Sequence, residues 1–477
     1  MKSSFERKAL TAAITTSIIA SFAAPVMAQD DGDDTMTMEE VVTATRRETT
    51  MTEIPYSISA VSGDFIDKAR IITTGELLQG VPGASTIDFG ARNAGTVNAI
   101  RIRGLAVDSN VNMDVRLSAD PPVSTYLNET PLFAPMILKD LERVEVLRGP
   151  QGTLYGSGSL GGTVRYLTRL PVLGEFEGRV EASFSQTDGS SGNNWDGDAV
   201  INIPIGDTFA VRALVGKIDY AGIVDGPNLY VLDDQDLPIA PDGVLADTAV
   251  YESVRGLDTV DIDYARVSAF WQPTDTFDAL LWYAYQEDDI GGRMQPTEGV
   301  DGWGDQYGKY EIGSIQREPS ERKVDATALE LNIDFGFATL TSSSSYYDHS
   351  GNSVSENTGF YAQNGWLANF YYNYPRPMAS AERSFTDEAF IQELRLVSQG
   401  DTDFPWIVGV FYRDQEATSI QNSFVRGFKR WGDAFFGPGV VVSDSDFRYQ
   451  RDENFEDMAI FGELTWRVTE TFSLTGG

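Results

Sequence analysis

Residues that could carry out chemistry are few in this sequence, despite its many carboxylates. It has no cysteine and a single histidine, His349, beside 71 aspartate and glutamate residues. The absence of cysteine excludes thiol catalysis, cysteine-ligated zinc and iron–sulfur clusters. His349 lies in the segment 346–350, where the pattern predicts an exposed loop histidine at a strand end and not a base or ligand. Carboxylate pairs are so common here that none marks a catalytic site, and we expect neither an enzyme nor a resident cofactor or metal.

A glycine-rich run at 149–163 is the motif that most suggests a nucleotide site. Gly156, Gly158 and Gly161 fit the GxGxxG spacing. The residues that follow, 163–167, are strand-like, whereas a dinucleotide site needs a helix N-terminus there to hold the pyrophosphate. The run therefore predicts tight turns in a packed domain. A formal net charge of −35 also argues against nucleic acid as a partner.

Residues 1–28 predict a secretory signal. Lys2, Arg7 and Lys8 give a positive start, a largely apolar core follows at 9–24, and 26–28 supply a small-residue cleavage pattern. A membrane anchor is the weaker interpretation, because serine and threonine dilute a short core. We therefore expect the mature chain to work outside the inner membrane.

Residues 29–51 predict an acidic tether that contains one short β-branched segment. That segment consists of Glu40, Val41, Val42, Thr43, Ala44 and Thr45. Flanked by charge, it is suited to pair with the sheet edge of another protein. From spacing alone, the first strand of the following domain is an equally good interpretation.

Residues 52–171 predict a small α/β domain. The segments 57–61, 100–103 and 141–147 are strand-like, and the last of them leads into the glycine-rich run. Thr73 stands three residues before Glu76, which predicts a capping box at the start of a short helix.

From residue 172 to residue 477 the pattern changes to long antiparallel hairpins. Apolar residues alternate with polar ones in strands of about ten residues. Short turns such as 272–275 alternate with long acidic connections such as 221–257 and 347–382. We therefore predict a mainly β fold, a transmembrane antiparallel β-barrel preceded by the small α/β domain. A soluble β-sandwich or propeller is the alternative.

One stretch of the small domain is specific enough to indicate a family. Residues 140–156, DLERVEVLRGPQGTLYG, resemble almost position by position the plug motif of TonB-dependent outer-membrane receptors. The segments 40–47, 54–55, 102–105, 392–396 and 461–463 resemble further parts of that family. The plug signature comprises Arg103, Gly104, Glu145, Arg148, Gly149, Pro150, Gly152, Tyr155, Gly156, Gly161 and Gly162. The segment 156–159 lacks the usual basic and asparagine residues, and 106–122 is an unusually polar insertion; both concern the ligand more than the family.

The resemblance implies a transporter in the outer membrane of a Gram-negative cell, surrounded by lipid. A plug would close the barrel, and the periplasmic end of TonB would pair with residues 40–45 and pull. A scarce small molecule would be the cargo, with an iron–siderophore complex as the leading expectation and an oligosaccharide, cobalamin or haem behind it. A non-transporting surface β-protein or adhesin is the alternative from another class, while a passive porin would have no need of residues 52–171.

The resemblance also implies a charged lock between plug and barrel. Arg103 and Arg148 on the plug would pair with Glu393 and Glu463 on barrel strands. A carboxylate that faces a filled lumen needs a partner, because desolvation otherwise raises its pKa. The alternative is that each glutamate faces water in the lumen.

The expected strand number is small for such a barrel. The hairpins after residue 171 give about ten to twelve strands, whereas a barrel that encloses a plug of this size is expected to have about twenty-two. We therefore expect the sequence to hold the N-terminal part of the barrel, ending inside a strand at 472–477 and unable to form a pore by itself.

Overall fold

The computed structural model describes residues 41–43, 46–47, 49–50, 54, 56–86, 90–93, 100–105, 121–132, 134–156, 158–400, 402–469 and 472–477. The predicted signal at 1–28, the acidic start of the tether, and Glu40, Ala44 and Thr45 lie outside the described residues.

The first part of the chain forms short strands and helices. The strands are β1 (Val41–Val42), β2 (Thr49–Thr50), β3 (Ser57–Ser62), β4 (Ala84–Thr86), β5 (Ile100–Ile102), β6 (Val123–Leu127), β7 (Thr130–Pro131), β8 (Leu141–Arg148) and β9 (Gly162–Thr168). The helices are α1 (Gly63–Lys68), α2 (Thr74–Gln79), the 3-10 helix Ala91–Asn93 and α3 (Gly152–Tyr155).

Among the described residues, five of these strands form a mixed sheet in the order β3-β8-β9-β6-β7, and β6 runs parallel to β9. The predicted capping box starts α2: Glu76 N–H donates to Thr73 Oγ1 at 3.3 Å, and Thr73 N–H donates to Glu76 Oε2 at 3.2 Å. Apolar side chains from α1, α2 and the sheet, including Ile66 and Leu78, form a buried core. We call this unit the small domain.

The rest of the chain is dominated by one antiparallel sheet, which we call the large sheet. Over the described residues it has eleven strands, and each pairs with its neighbour in sheet order. They are β10 (Glu177–Ser185), β11 (Asn194–Ile205), β12 (Phe209–Tyr220), β15 (Val260–Thr274), β16 (Phe277–Ile290), β17 (Ser320–Asp334), β18 (Ala338–Glu356), β19 (Ala379–Ser398), β20 (Trp406–Val425), β21 (Ser445–Thr469) and β22 (Phe472–Gly476).

The long connections of the large sheet carry their own short elements. They are β13 (Gly226–Tyr230), β14 (Tyr251–Val254), α4 (Thr358–Gln363), α5 (Trp366–Asn369) and α6 (Phe428–Phe436). No helix within the described ranges is long and apolar enough to cross a membrane.

The predicted strand length of about ten residues is wrong for much of the large sheet. Strands β17 to β21 have 15 to 25 residues. Hydrogen-bond pairing continues past the apolar stretch into the polar segments that the composition had suggested were loops. For example, β18 extends to Glu356, well inside the predicted connection 347–382.

The alternation along each strand separates two faces. On β16, Leu281 and Tyr283 are exposed, while Leu280, Trp282 and Ala284 are buried. The buried face is covered by apolar side chains of the small domain, among them Leu127 and Leu132. The exposed face therefore also carries apolar side chains, as a face in contact with a lipid bilayer would.

The expectation that His349 is an exposed loop residue at a strand end is wrong. The side chain is 5% exposed and lies on β18, opposite Asp387 of β19 in the strand register. Its ring packs edge-on against Phe385, with 4.9 Å between ring centroids. Because β18 continues beyond the predicted strand end, the two-residue period places His349 on the buried face.

Candidate functional site at the interface of the small domain and the large sheet

The glycine-rich turn after β8 joins two parts of the predicted signature. Gly149 has φ of +112°, a conformation that L side chains rarely adopt. A Cβ there would lie 3.2 Å from Arg103 Nη1, so glycine leaves room for that guanidinium. At the start of β9, a Cβ on Gly162 would lie 2.2 Å from the Leu147 carbonyl oxygen. These two glycines therefore permit close pairing of β8 with β9.

The other signature residues shape the same region. Gly104 follows Arg103 with φ of +80°, and Gly161 N–H donates to the Pro122 carbonyl over 2.7 Å. Pro150 is exposed, Gly152 begins α3 and Gly156, with φ of +63°, ends it. Tyr155 at the end of α3 is buried, and its ring meets that of Tyr126 at 5.2 Å.

Residues 40–45, which are predicted to pair with TonB, are called the coupling segment below. Its described part is paired within its own chain. Val41 and Val42 pair with Thr50 and Thr49. Val42 is 0% exposed and belongs to an apolar cluster that includes Leu147 of the small domain, and Val397 and Ile407 of the large sheet. The segment is therefore a short strand that pairs with β2 in a two-stranded sheet separate from the five-stranded sheet of the small domain.

Glu145 holds the backbone just after this strand. Thr43 N–H donates to Glu145 Oε1 at 2.8 Å, Arg143 Nε donates to the same oxygen at 2.9 Å, and Arg165 Nη1 donates to Oε2 at 2.8 Å. Burial would raise the pKa of Glu145, but Arg165, the Thr43 amide and Arg143 together hold it below its ordinary value. The carboxylate is therefore ionised and binds the end of the coupling segment.

Arg46, three residues further on, connects this segment to both larger parts of the molecule. Its side chain is 0% exposed and pairs with Glu129 of the small domain and, at 3.5 Å, with Glu393 of the large sheet. The guanidinium also lies 4.4 Å from the centre of the Tyr155 ring. Burial alone would lower the pKa of Arg46, but the carboxylates of Glu393 and Glu129 raise it above its ordinary value.

Glu129 is the centre of the charges around Arg46. It accepts from Arg165 Nη2 at 3.0 Å and from Arg395 Nη1 at 2.7 Å, in addition to Arg46. Burial would raise the pKa of Glu129, but Arg395, Arg46 and Arg165 hold it well below its ordinary range. We define the inner network as Arg46, Glu129, Glu145, Arg165, Glu393 and Arg395.

The lock that the resemblance implied is not formed with the predicted partners. In the described part of the chain, neither Arg103 nor Arg148 makes an ion pair with Glu393 or Glu463. Arg148 instead donates to the backbone carbonyls of Pro82 at 2.6 Å and Ile58 at 3.0 Å. Both carbonyls belong to the small domain, so these two bonds do not involve the large sheet, and Arg148 Nε is buried without a hydrogen-bond partner among the described residues.

The two predicted glutamates have other partners. Glu393 pairs with Arg46 and with Arg395, the latter at 2.8 Å. Glu463 accepts a hydrogen bond from the Tyr56 hydroxyl at 3.2 Å. The buried carboxylate on the sheet is thus neutralised, as the physical argument required, but by arginines that sequence reasoning missed. Only Arg395 left a signal, since it stands two residues after Glu393 and therefore on the same strand face.

A second contact holds the irregular segment 134–140 of the small domain against the large sheet. Asp140 binds Arg212 through both carboxylate oxygens, at 2.6 and 2.9 Å, and also binds Arg266 at 3.2 Å. Its neighbour Lys139 pairs with Asp198 at 2.9 Å. We call this contact the wall anchor.

A third contact, the outer anchor, lies where the long connections leave the sheet. Arg92 of the 3-10 helix donates through Nε to the Glu318 carbonyl at 2.7 Å and through Nη2 to the Val354 carbonyl at 2.6 Å. Arg293 pairs with the Glu318 carboxylate at 2.8 Å and donates to Ser355 Oγ at 3.0 Å. This end of the small domain is therefore held mainly by arginine donating to backbone oxygen.

Aromatic side chains join the long connections beyond the outer anchor. Trp431 of α6 stacks on Phe428 and on Phe435, with centroids 5.7 and 4.7 Å apart. Tyr361 and Tyr371 both donate to the carboxylate of Asp446 at the start of β21. The loops are thus packed on one another over a shared aromatic core.

Comparison with known proteins identifies the class. Residues 50–163 match the family described as TonB-dependent Receptor Plug Domain. The match spans the region between the coupling segment and β9, which contains the glycine-rich turn and Glu145.

Two individual relatives are similar to part of this chain. The iron-regulated outer membrane virulence protein of Vibrio cholerae is 28% identical over 201 residues, which are 40% of this chain and 29% of that protein. The hemin receptor of Yersinia pestis is 32% identical over 130 residues, 27% of this chain and 18% of that protein.

Solved structures share the fold. The ferric yersiniabactin uptake receptor FyuA from Yersinia pestis matches 88% of this chain and 55% of its own, with a TM-score of 0.65 and 16% identity. The match to the ferripyoverdine receptor of Pseudomonas aeruginosa covers 93% of this chain and 54% of that receptor, with a TM-score of 0.61 and 14% identity. The chain thus spans about half the length of these receptors and less of the curated relatives.

The small domain thus matches the plug family of TonB-dependent receptors, and the fold of the chain, with the small domain against a large antiparallel sheet, is similar to that of solved outer-membrane receptors. From here on the small domain is called the plug.

Proposed function

We propose that the complete protein imports a scarce small molecule across the outer membrane by an energised rearrangement of the plug, with an iron–siderophore complex as the first expectation for the cargo. The observation that carries this proposal is the seating of the plug. Three separate contacts hold it on the sheet, and the inner network ties the coupling segment to both parts. The relatives and structural neighbours, which include an iron-regulated protein and two ferric-siderophore receptors, support iron as the cargo.

The coupling segment would receive energy from the periplasmic end of TonB. Strand addition requires an accessible backbone edge, whereas Val42 is buried and paired with Thr49, and the N–H of Thr43 is bound to Glu145. On this proposal the segment must leave this site before the partner can pair with it. Arg46 is the residue whose contacts must break, because it joins the segment to the plug and to the sheet at once.

A deletion strain complemented with the complete gene tests this proposal. We expect uptake of radioactive iron, supplied as chelates extracted from the culture medium, to need both the gene and an energised inner membrane. Complementation with Val42→Ala should restore uptake, whereas Val42→Pro should not. Uptake that persists in the deletion strain, or fractionation of the complete protein to the cytosol, would contradict the proposal.

A further inference from the structure

The loops 221–259 and 291–319 combine exposed aromatic rings with a strong excess of negative charge. They contain 13 acidic and 4 basic residues. Tyr230 and Tyr251, paired across β13 and β14, stack with centroids 5.0 Å apart. Trp303 of the second loop meets Tyr251 at 5.0 Å with its plane turned by 87°, so the two rings form perpendicular walls. We call Tyr230, Tyr251 and Trp303 the aromatic corner.

The corner is held in place by the loop itself. Trp303 N–H and Asp305 N–H both donate to Asp301 Oδ1 at 2.9 Å, and the side chain of Asn228 donates to Asp301 Oδ2 at 3.1 Å. These bonds join the two loops and fix the indole, which is nevertheless 61% exposed. A large apolar ring is thus presented to solvent on a preformed support, which lowers the ordering cost of binding.

The charge beside the corner is negative. Burial tends to raise the pKa of Asp301, but the Asp305 and Trp303 amides hold it below its ordinary value. Asp301 is therefore ionised, and its carboxylate accepts from the backbone N–H of Trp303. At physiological salt, charges act over roughly 8 Å, so the nearby carboxylates decide which ligands approach the ring.

We propose that the aromatic corner is a subsite for an organic cation, specifically an ammonium or methylated ammonium group of the transported ligand. The negative face of an aromatic ring attracts a cation, and indole does so best. The Asp301 carboxylate and the acid excess of the two loops reinforce that attraction and oppose an anionic chelate. The same loop already shows this pairing, since Lys309 Nζ lies 4.5 Å from the centre of the Tyr310 ring.

This inference rests on the proposed uptake function and narrows the cargo. A ferric complex whose ligand groups balance the metal charge and which carries a free amine would fit the corner. A chelate left with a net negative charge would not.

Binding of choline to the full chain in detergent micelles, followed by saturation-transfer NMR, tests the subsite. Neopentylcarbinol, the neutral carbon isostere of choline, is the matched probe, and citrate is the anionic one. We expect choline to bind at least about fivefold more tightly than neopentylcarbinol, and citrate not to bind. Equal affinity for choline and its neutral isostere would overturn the proposal.

Substitutions locate the binding. Trp303→Leu should weaken choline binding about five- to tenfold, Trp303→Phe should have an intermediate effect, and Tyr251→Phe should bind as the parent does. Phe370→Leu, an exposed aromatic residue outside the corner, serves as the control. If Trp303→Leu disturbs the loop, the graded series still separates the outcomes, because unchanged binding in Trp303→Phe and Trp303→Leu alike contradicts the assignment.

The two proposals fail separately. Val42→Pro should abolish uptake and leave choline binding intact. If the corner binds choline while the complete protein imports nothing, the uptake proposal is wrong and the subsite stands. If uptake is energised but choline does not bind, the subsite is wrong.

Discussion

The inner network and the outer anchor hold opposite ends of the plug by different chemistry. In the inner network, buried arginines and glutamates from the coupling segment, the plug and the sheet neutralise one another. In the outer anchor, Arg92 donates to the backbone carbonyls of Glu318 and Val354.

This difference determines how each contact responds to change. Removing one charge from a buried network leaves its partners uncompensated, which is costly. Removing a donor from a backbone carbonyl leaves a neutral acceptor that water can satisfy more cheaply. The inner network is therefore suited to switch between two states, and the outer anchor to hold position.

The largest effect should come from Val42→Pro. Proline removes the backbone N–H that pairing with a partner strand needs, so we expect energised uptake to fall to the level of the deletion strain while ligand still binds at the cell surface. Val42→Ala, which keeps the N–H, should retain most uptake. Normal uptake by the proline variant would show that residues 40–45 act only as a tether.

Arg46→Met should release the coupling segment. Arg165 and Arg395 still neutralise part of the network in this variant. We therefore expect the free energy that holds the coupling segment in place to fall by about 2–3 kcal/mol, which raises the released fraction about 30- to 150-fold. The chain has no cysteine, so Val42→Cys gives a single buried thiol whose maleimide labelling rate reports release. Arg47→Met in the same background is the control, and equal labelling in both variants would contradict the role of Arg46.

Acid should also release the segment. The folded-state pKa values of Glu145 and Glu129 lie below the ordinary 4.5, so their contribution is complete above about pH 4.5 and is lost as the pH falls further. The labelling rate of Val42→Cys by a disulfide reagent, divided by the rate of a small free thiol at the same pH, should stay constant from about pH 8 to pH 6 and rise below about pH 4.5. A rise centred near neutral pH would point to another group.

Arg92→Met should have the smallest effect of this series. We expect the outer end of the plug to lose about 1–2 kcal/mol, because two neutral carbonyls lose a charged donor. Hydrogen exchange at residues 90–93 should accelerate about fivefold or more, while labelling of Val42→Cys stays at the parent rate. Accelerated labelling would mean that the two ends are coupled more tightly than the contacts indicate.

Local features of this protein were predictable because neighbouring residues determine them. The capping box of α2 needs only Thr73 and Glu76, and the turn at Gly149 needs a residue that tolerates positive φ. The alternation of β16 follows from the two-residue period of a strand. The family resemblance rested on the same contiguous stretch, which the plug match at 50–163 confirms.

Partners distant in sequence were not predictable. His349 was misjudged because the end of β18 depends on pairing with β17 and β19. The charged lock between plug and barrel was predicted to use Arg103 and Arg148. In the structure, Glu393 of the large sheet is neutralised by Arg46 and Arg395 instead.

By itself, then, the sequence determined the turn chemistry, the strand period, the acidic surface and the class of protein, since each depends on residue type and short spacing. Only the tertiary structure decided which charges meet. Arg46, Glu129 and Arg395 lie in three different segments of the chain, and apart from the two-residue spacing of Arg395 from Glu393 no local pattern distinguishes them from the other charged residues. A buried charge needs a partner of opposite sign, but this rule does not say which residue provides it. The packing of the plug against the large sheet decides which residues become partners.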